Sequence, residues 1–343
     1  MKNKSHMTVK DVAEKAGVSA STVSRVLSNS SKISEKTKAK VHRIMDEMGY
    51  YPNAMARSLA SNKTGNIGVI LPKRAEDSFL NPFFPEAIRG ILNGAEQFSY
   101  DVLISAVNRD KNELNKLKEL IKSSKVDGII LMESEEEDES QKYLLDNEFP
   151  FSVIGTPYKN KEKINYVDND NIKACYELTK HLYGTGRRKI ALIAGDESIT
   201  VTKKRILGYK KALLDLNLNF DEKLLFTGSF TEETGYKYAK EILRLKEIPD
   251  AIIITDDLIA FGAVKMLISL GIKIPSDISI ASFNNSILSR YSDIPLTSVD
   301  INTYKLGFES VKLVVDDIEK NRKGIKNTVP FSINKRESTK IDS

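Results

Sequence analysis

The chain has 343 residues, 41% of them hydrophobic, enough to bury a sizeable core and to argue against disorder. A single cysteine, Cys175, excludes an intramolecular disulfide framework, and no run of ~18 apolar residues offers a membrane span. Net charge is +5, but residues 1–64 hold 12 Lys/Arg against 5 Asp/Glu while the rest is nearly balanced, 40 against 42. Such asymmetry points to a basic nucleic-acid-binding module on a near-neutral body. A merely solvated basic face is the alternative that charge alone leaves open. The opening MKNKSHMTVKDVAEKAG lacks an apolar stretch, so no signal peptide is expected, and a cytoplasmic, nucleoid-associated location is expected instead.

The first elements are helical. Val9, Val12, Ala13 and Ala16 follow a helical period, and Gly17 stands where a left-handed residue would end that helix. Ser19 can cap a second helix, with Val23, Val26 and Leu27 on one face and Ala20, Ser21, Ser24, Arg25 and Ser28 on the other. Ser34 can cap a third, whose stripe is Val41, Ile44, Met45 and Met48 before Gly49. Two short helices joined by a tight turn, with a third packed on them, describe a helix-turn-helix over residues 1–51. The outward face of the second helix is small and polar. Such a face can sink into a DNA major groove about 12 Å wide, where hydroxyls reach phosphates and base edges and one Arg can grip guanine.

Residues 52–64 follow as a hinge and linker. Asn53 can cap a short helix over 54–60, too brief to be stable alone, and its Leu59 could wedge into a minor-groove base step. A plain linker is the other reading of this segment.

The segment TVKDVAEKAGVSASTVSRVLSNSSKISEKTKAKVHRIMDEMGYYPNAMARSLAS resembles the DNA-binding headpiece of the LacI/GalR repressor family. The resemblance implies major-groove contacts from Ala20, Ser21 and Arg25, and phosphate contacts from Thr8, Ser19, Thr22, Ser24 and Asn29. It implies minor-groove insertion by Leu59. Ala20 and Ser21 are smaller than the reading residues of many members.

After Thr64 apolar strands alternate with amphipathic helices. NIGVILP (66–72), DVLISAV (101–107), VDGIILM (126–132) and PFSVIG (150–155) form one series. KIALIAG (189–195), KLLFTGS (223–229), DAIIITDD (250–257) and DISIASFNN (277–285) form a second. A first helical face is expected from Ala87, Ile88, Ile91, Leu92 and Ala95. The fold expected is α/β: an all-α headpiece plus a two-lobed core of parallel, doubly wound sheets over 65–340. The first lobe is expected at about 65–165 and 297–323, the second at about 166–296 and 324–340. Ligands in such folds sit beyond the carboxyl ends of the strands. Asn81, Phe83, Phe84, residues 168–170, Arg205, Phe230, Asp256, Asp257, Asn284 and Asn285 fall there. Planar polar groups with aromatics suit a polyhydroxylated ligand, although helix capping would explain Asp168, Asp256 or Asn284 singly.

The body resembles the effector-binding core of the same family, itself similar to periplasmic sugar-binding proteins. The resemblance implies effector contacts from Arg205, Asp256 and Asn284 and aromatic walls from Phe84 and Phe230, and Phe83 and Asp168 join this candidate effector site by their place at strand ends. Within the family, AEDSFLNPFFPEAIRGI, NYVDNDN, TDDLIAFGAVKML and SFNNSILS are most similar to maltose-operon repressors of Gram-positive bacteria. This implies a homodimer on an inverted-repeat operator in double-stranded DNA, released by a small carbohydrate, maltose or a maltodextrin. A transport-type sugar-binding protein and a regulator answering another sugar or a phosphorylated carrier are the alternatives.

No catalytic role, cofactor or metal is expected. Neither G-x-G-x-x-G after the first strand nor a P-loop motif occurs, and His6, His42 and His181 read as solvated or packed. Cys175 reads as a core residue. The acidic run ESEEEDES (133–140) reads as a solvated loop or helix start, and residues 335–343 as a polar tail.

Overall fold

The computed structural model describes residues 7–27, 30–50, 63–72, 79–105 and 113–340. The basic N-terminal unit holds α1 (Val9–Ala16), α2 (Ala20–Leu27) and α3 (Glu35–Met48). Thr8 starts α1 through Asp11, whose carboxylate accepts from the Thr8 N–H at 2.7 Å and hydroxyl at 2.8 Å. Those bonds hold Asp11 below the ordinary carboxylate pKa. Gly17 and Gly49 end α1 and α3 at φ 64° and 59°, a region glycine enters without steric cost. Val12, Ala13, Ala16, Val23, Val26, Val41, Ile44 and Met45 meet in one core. Tyr50, at the edge of the segment read as headpiece, is buried in the same core.

The body holds two six-stranded sheets. The first runs β2 (Asp101–Ser105), β1 (Asn66–Ile70), β3 (Gly128–Leu131), β4 (Phe151–Ile154), β5 (Asn165–Asp168) and β11 (Lys326–Thr328), all parallel. The second runs β7 (Leu225–Thr227), β6 (Ile190–Ala194), β8 (Ala251–Ile254), β9 (Ser279–Phe283), β10 (Thr297–Asp300) and β12 (Ser332–Asn334). Only β12 runs antiparallel, along β10. The apolar runs make this possible: β3, β4, β6, β8 and β9 are buried at every residue, as strands covered on both faces must be. Helices α4 (Phe83–Gln97), α5 (Glu113–Lys122) and α6 (Glu139–Asp146) connect the first series. Helices α7 (Asn171–Gly184), α8 (Thr200–Asp215), α9 (Glu232–Ile242), α10 (Asp257–Ser269) and α11 (Ile287–Arg290) belong to the second.

Helix α12 (Thr303–Lys320) returns to the first sheet and packs on α4. The contact is close enough that a Cβ on Gly90 would lie 2.0 Å from the Tyr304 carbonyl oxygen. Gly90 and Gly94 therefore share the buried face with Ala87, Ile88, Ile91 and Ala95, while Leu92, expected on that face, is exposed.

The chain crosses between sheets three times: after β5, after β10 and after β11. Strand β10 thus belongs to the second sheet and β11 to the first, which differs from the division expected at 297 and 324. Short strands of mixed polarity at these crossings, such as KNT and SIN, carry no alternation that would have located them. Asn169 ties the crossings together. Its side-chain amide donates to the carbonyls of Ile301 and Val329, each at 2.9 Å.

Residues 336–339 do not form a loose tail. Ser338 and Thr339 are buried, the Ser338 hydroxyl donates to the Ile280 carbonyl at 2.6 Å, and the Thr297 N–H donates back to it at 2.8 Å. Hydroxyls that can pair with backbone at a sheet edge are read as polar tail by composition alone.

Candidate functional site

Two places carry the residues singled out by sequence. The first is the exposed side of α2. Ser19 caps that helix, accepting from the Thr22 N–H at 3.1 Å, and its hydroxyl pairs with those of Ser21 and Thr22, each at 2.8 Å. Ser19, Ser21, Ser24 and Arg25 are exposed, whereas Val23 and Val26 point into the core. Thr22 is half-buried, and so is Ala20, which packs against the headpiece core. Thr8 is exposed at the start of α1. A helix with a hydroxyl-rich N-terminus and one arginine offers donors for phosphate oxygens and a fork for a base edge. Asn29, Asn53 and Leu59, with the hinge helix over 54–60, lie outside the described residues.

The second place is a solvent-open cleft between the two lobes, whose roughly 890 Å³ of atom-free space includes solvent at its mouth. The carboxyl ends of the strands and the loops beyond them supply its walls. Phe83, Phe84, Asp168, Arg205, Phe230, Asp256 and Asn284 all line it. Phe83 and Phe84 stand edge to face, centroids 5.2 Å apart, at the start of α4 in the first lobe. Phe230 stands in the second.

Asp256 sits at the N-terminus of α10, and each oxygen has its own task. Oδ1 caps the helix, accepting from the N–H groups of Leu258 at 2.8 Å and Ile259 at 3.3 Å. Oδ2 accepts from Asn284 Nδ2 at 2.9 Å and from Asn81 Nδ2 at 3.0 Å. Asn81 belongs to the other lobe, so this carboxylate joins both. Burial pushes its pKa up to about 6, against the hydrogen bond from Asn81.

Arg205 projects from α8 and is 5% exposed. Its Nε donates to Asn171 Oδ1 at 3.0 Å, and Nη1 donates to the Thr255 carbonyl at 2.5 Å. The guanidinium lies over the Phe283 ring, 4.2 Å from its centroid. Burial draws its pKa down to about 10, still leaving the group charged. Asp168 lines the cavity, but the protein itself occupies its carboxylate. Oδ2 accepts from the Thr156 N–H at 3.1 Å, the Thr156 hydroxyl at 2.7 Å and Lys204 at 2.9 Å. Oδ1 accepts from the Asn169 N–H and from Asn171 Nδ2, each at 2.8 Å.

Not every strand-end residue reaches the cavity. Asp257 is buried and binds the Ser282 and Ser298 hydroxyls and the Ser286 N–H, which fixes the loop that presents Asn284. Asn285 bonds Asp300 and the Ser298 hydroxyl. Asp170 caps α7. The acidic run is not simply solvated either. Glu133 and Ser134 line the cavity, Glu135 pairs with Ile199 in an antiparallel bridge, and Glu136 binds Lys203 from the other lobe. Lys204, Asn171 and Thr156 were missed by sequence reasoning, because partners that only support a first polar residue leave no spacing pattern.

The remaining groups are structural. Cys175 is fully buried, and burial pushes its thiol up to about 12. His181 is half-buried, with Nε2 2.9 Å from the Thr339 hydroxyl. Among the described residues no group of His, Cys, Asp and Glu is arranged to hold a metal, and no helix is long and apolar enough to cross a membrane.

A helix-turn-helix unit joined to two facing doubly wound lobes around an aromatic-walled cleft with a few buried charged and amide groups defines a ligand-responsive DNA-binding regulator. The chain belongs to the LacI family of bacterial regulatory proteins and is a DNA-binding transcriptional repressor of that family. The model of bacterial regulatory proteins of the lacI family matches residues 8–53. That of periplasmic binding proteins and the sugar binding domain of the LacI family matches 64–335. The chain is 37% identical to the HTH-type transcriptional regulator MalR of Streptococcus pneumoniae over 321 residues, 92% of this chain and 94% of that one. A probable maltose operon transcriptional repressor, malR, of Staphylococcus aureus superposes with a TM-score of 0.76 at 28% identity, over 82% of this chain and all of that one. The Lac repressor dimer bound to operator and the anti-inducer ONPF superposes with a TM-score of 0.81 at 25% identity, over 97% and 99%.

Proposed function

We propose that this repressor controls a sugar-utilisation operon and is released from DNA by a small carbohydrate, maltose or a maltodextrin. The observation that carries the reading is the composition of the cleft. Arg205, Asp256, Asn81 and Asn284 present planar polar groups, and Phe83, Phe84 and Phe230 present aromatic faces from both lobes. Sugars are recognised through that combination: paired hydroxyls meet carboxylate, amide and guanidinium, and the C–H face of the ring meets an aromatic face. The likeness to proteins named for maltose regulation supports the sugar. Two copies in the cytoplasm, on the nucleoid, would read an inverted repeat, because two-fold protein symmetry maps onto operator symmetry. Ser21 and Arg25, with Ala20 at the edge, would face the major groove. Thr8, Ser19, Thr22, Ser24 and Asn29 would meet phosphates, and Asn53 and Leu59 would act in the hinge at the operator centre. Ligand closing on both lobes must favour a different arrangement from the one operator favours, by a few kcal/mol, for release to follow. No catalytic role enters this scheme.

The test is a gel-shift on labelled promoter DNA with glucose, maltose, maltotriose and unrelated sugars added in turn. Release by maltose or maltotriose alone supports the reading. Release by another sugar replaces the effector, and indifference to every sugar, with binding intact, overturns it.

A further inference from the structure

We propose that Gly195 sets the specificity of the cleft by seating the ring of Phe230; the inference rests on the carbohydrate reading above. Strand β6 ends at Ala194, and Gly195 follows it, buried, its N–H donating to the Thr255 hydroxyl at 3.2 Å. Phe230 lies on the loop between β7 and α9, beside β6 in the same sheet. That loop is pinned near its start by Gly228, whose N–H donates to the Ala194 carbonyl at 3.2 Å. The side chain of Thr231 then caps α9. Phe230 lines the cavity, and Gly195 lies directly against its ring. A Cβ on Gly195 would lie 2.1 Å from Phe230 Cζ and 2.5 Å from both ring Cε atoms.

The backbone does not require glycine at this position. Gly195 is absent from the residues with positive φ, unlike Gly155 across the cleft, which has φ +111° and no atom within less than 4.0 Å of an added Cβ. The ring alone excludes a side chain. Carbon atoms rest ~3.5–4 Å apart, so a methyl at 195 must lift the ring by about 1.5 Å into the space a ligand would fill. Phe230 can therefore lie flat against the strand end only because residue 195 has no side chain. The position of that aromatic wall fixes how thick a ligand ring the cleft can take. Gly195 is a positioning residue: it touches no ligand and acts through Phe230.

The experiment is a double-mutant cycle read by calorimetric titration of glucose, maltose and maltotriose into four full-length proteins. These are the wild type, Gly195→Ala, Phe230→Leu, and the two changes together. Leucine lacks the Cε and Cζ atoms that meet residue 195. The expected result is a loss of at least tenfold in sugar affinity for Gly195→Ala. In the Phe230→Leu background the same change costs less than threefold. Should Gly195→Ala alone fail to fold, recovery of folding and of the Phe230→Leu affinity in the double variant still supports the proposal. Equal losses in both backgrounds, no loss in either, or a double variant that also fails to fold would overturn it. A wild type that binds none of the three sugars removes the carbohydrate reading itself, a result distinct from any pattern among the variants.

Discussion

The Asn81 side-chain amide donates to the Asp256 carboxylate at 3.0 Å, joining the loop before α4 in one lobe to the cap of α10 in the other. Asn81 also accepts from the Phe83 N–H through Oδ1 at 3.0 Å, so the aromatic pair and the carboxylate are positioned by one side chain. Asp256 is 3% exposed, and each of its oxygens already accepts two hydrogen bonds. A ligand hydroxyl that claims Oδ2 must share it with, or take it from, an amide of the protein.

The same carboxylate makes stability depend on pH. Its pKa is about 6 in the folded chain against an ordinary 3.8. Between those values the folded state holds a proton that the unfolded state has released, so stability falls as pH rises through the window and levels off above it. The stability of the wild type relative to Asp256→Asn, measured by urea unfolding from pH 4 to pH 7, is expected to fall over that interval by up to about 3 kcal/mol. A difference that is flat with pH removes the assignment of this titration to Asp256.

Asn169 offers a test of the crossings between the lobes. It is buried, and its amide serves the carbonyls of Ile301 and Val329 on two other crossings. Asn169→Ala leaves both carbonyls without that donor, at a cost of roughly 1–3 kcal/mol for a buried group losing its partner. The melting temperature is expected to fall by several degrees, and amide exchange is expected to rise at residues 301–303 and at Val329 and Phe331. Unchanged exchange at those crossings would show that the staple carries no stability.

How much of this was legible in sequence depends on what kind of signal each residue leaves. Helices α1 to α3 and the eight apolar strand runs announced themselves through period and caps. Strands β5 (NYVD) and β10 (TSVD), with β11 and β12, did not, because strands of three or four residues rich in polar side chains at a crossing have no apolar pattern. The seven pocket residues were legible by position at strand ends together with family resemblance. Position alone did not distinguish Asp256, which lines the cavity, from Asp257, which braces the loop that presents Asn284. Capping does not account for all of Asp256: a carboxylate has two oxygens, and the cap uses only Oδ1.

Arg205 is tested best by a conservative change. Its fork donates in two directions, to Asn171 on α7 and to Thr255 at the end of β8, while its flat face covers Phe283. A lysine ammonium keeps the charge but is a point donor with no flat face. Arg205→Lys is therefore expected to lose at least tenfold in sugar affinity by calorimetry, with operator affinity unchanged in a gel-shift. Wild-type sugar binding by the lysine variant would exclude a role for the planar fork.

The exposed side of α2 predicts two different failures. Arg25→Ala removes a candidate base reader without touching a cap, and should cost about 1–3 kcal/mol of specific operator binding while sequence preference relaxes. Ser19→Ala removes the cap that accepts from Thr22 N–H, which costs about 1 kcal/mol of helix stability. It also removes a hydroxyl placed to meet phosphate, and so should weaken binding to all sequences alike, with a shallower dependence on salt only if a counterion is released at that contact. Because a serine carries no charge, the salt slope is expected to stay the same for Ser19→Ala and to flatten by nearly one for Arg25→Ala if the guanidinium also neutralises a phosphate. Footprinting and salt titration of both variants separate the roles: an arginine variant with full sequence preference would move base reading away from Arg25 and leave that helix face to the backbone of the duplex.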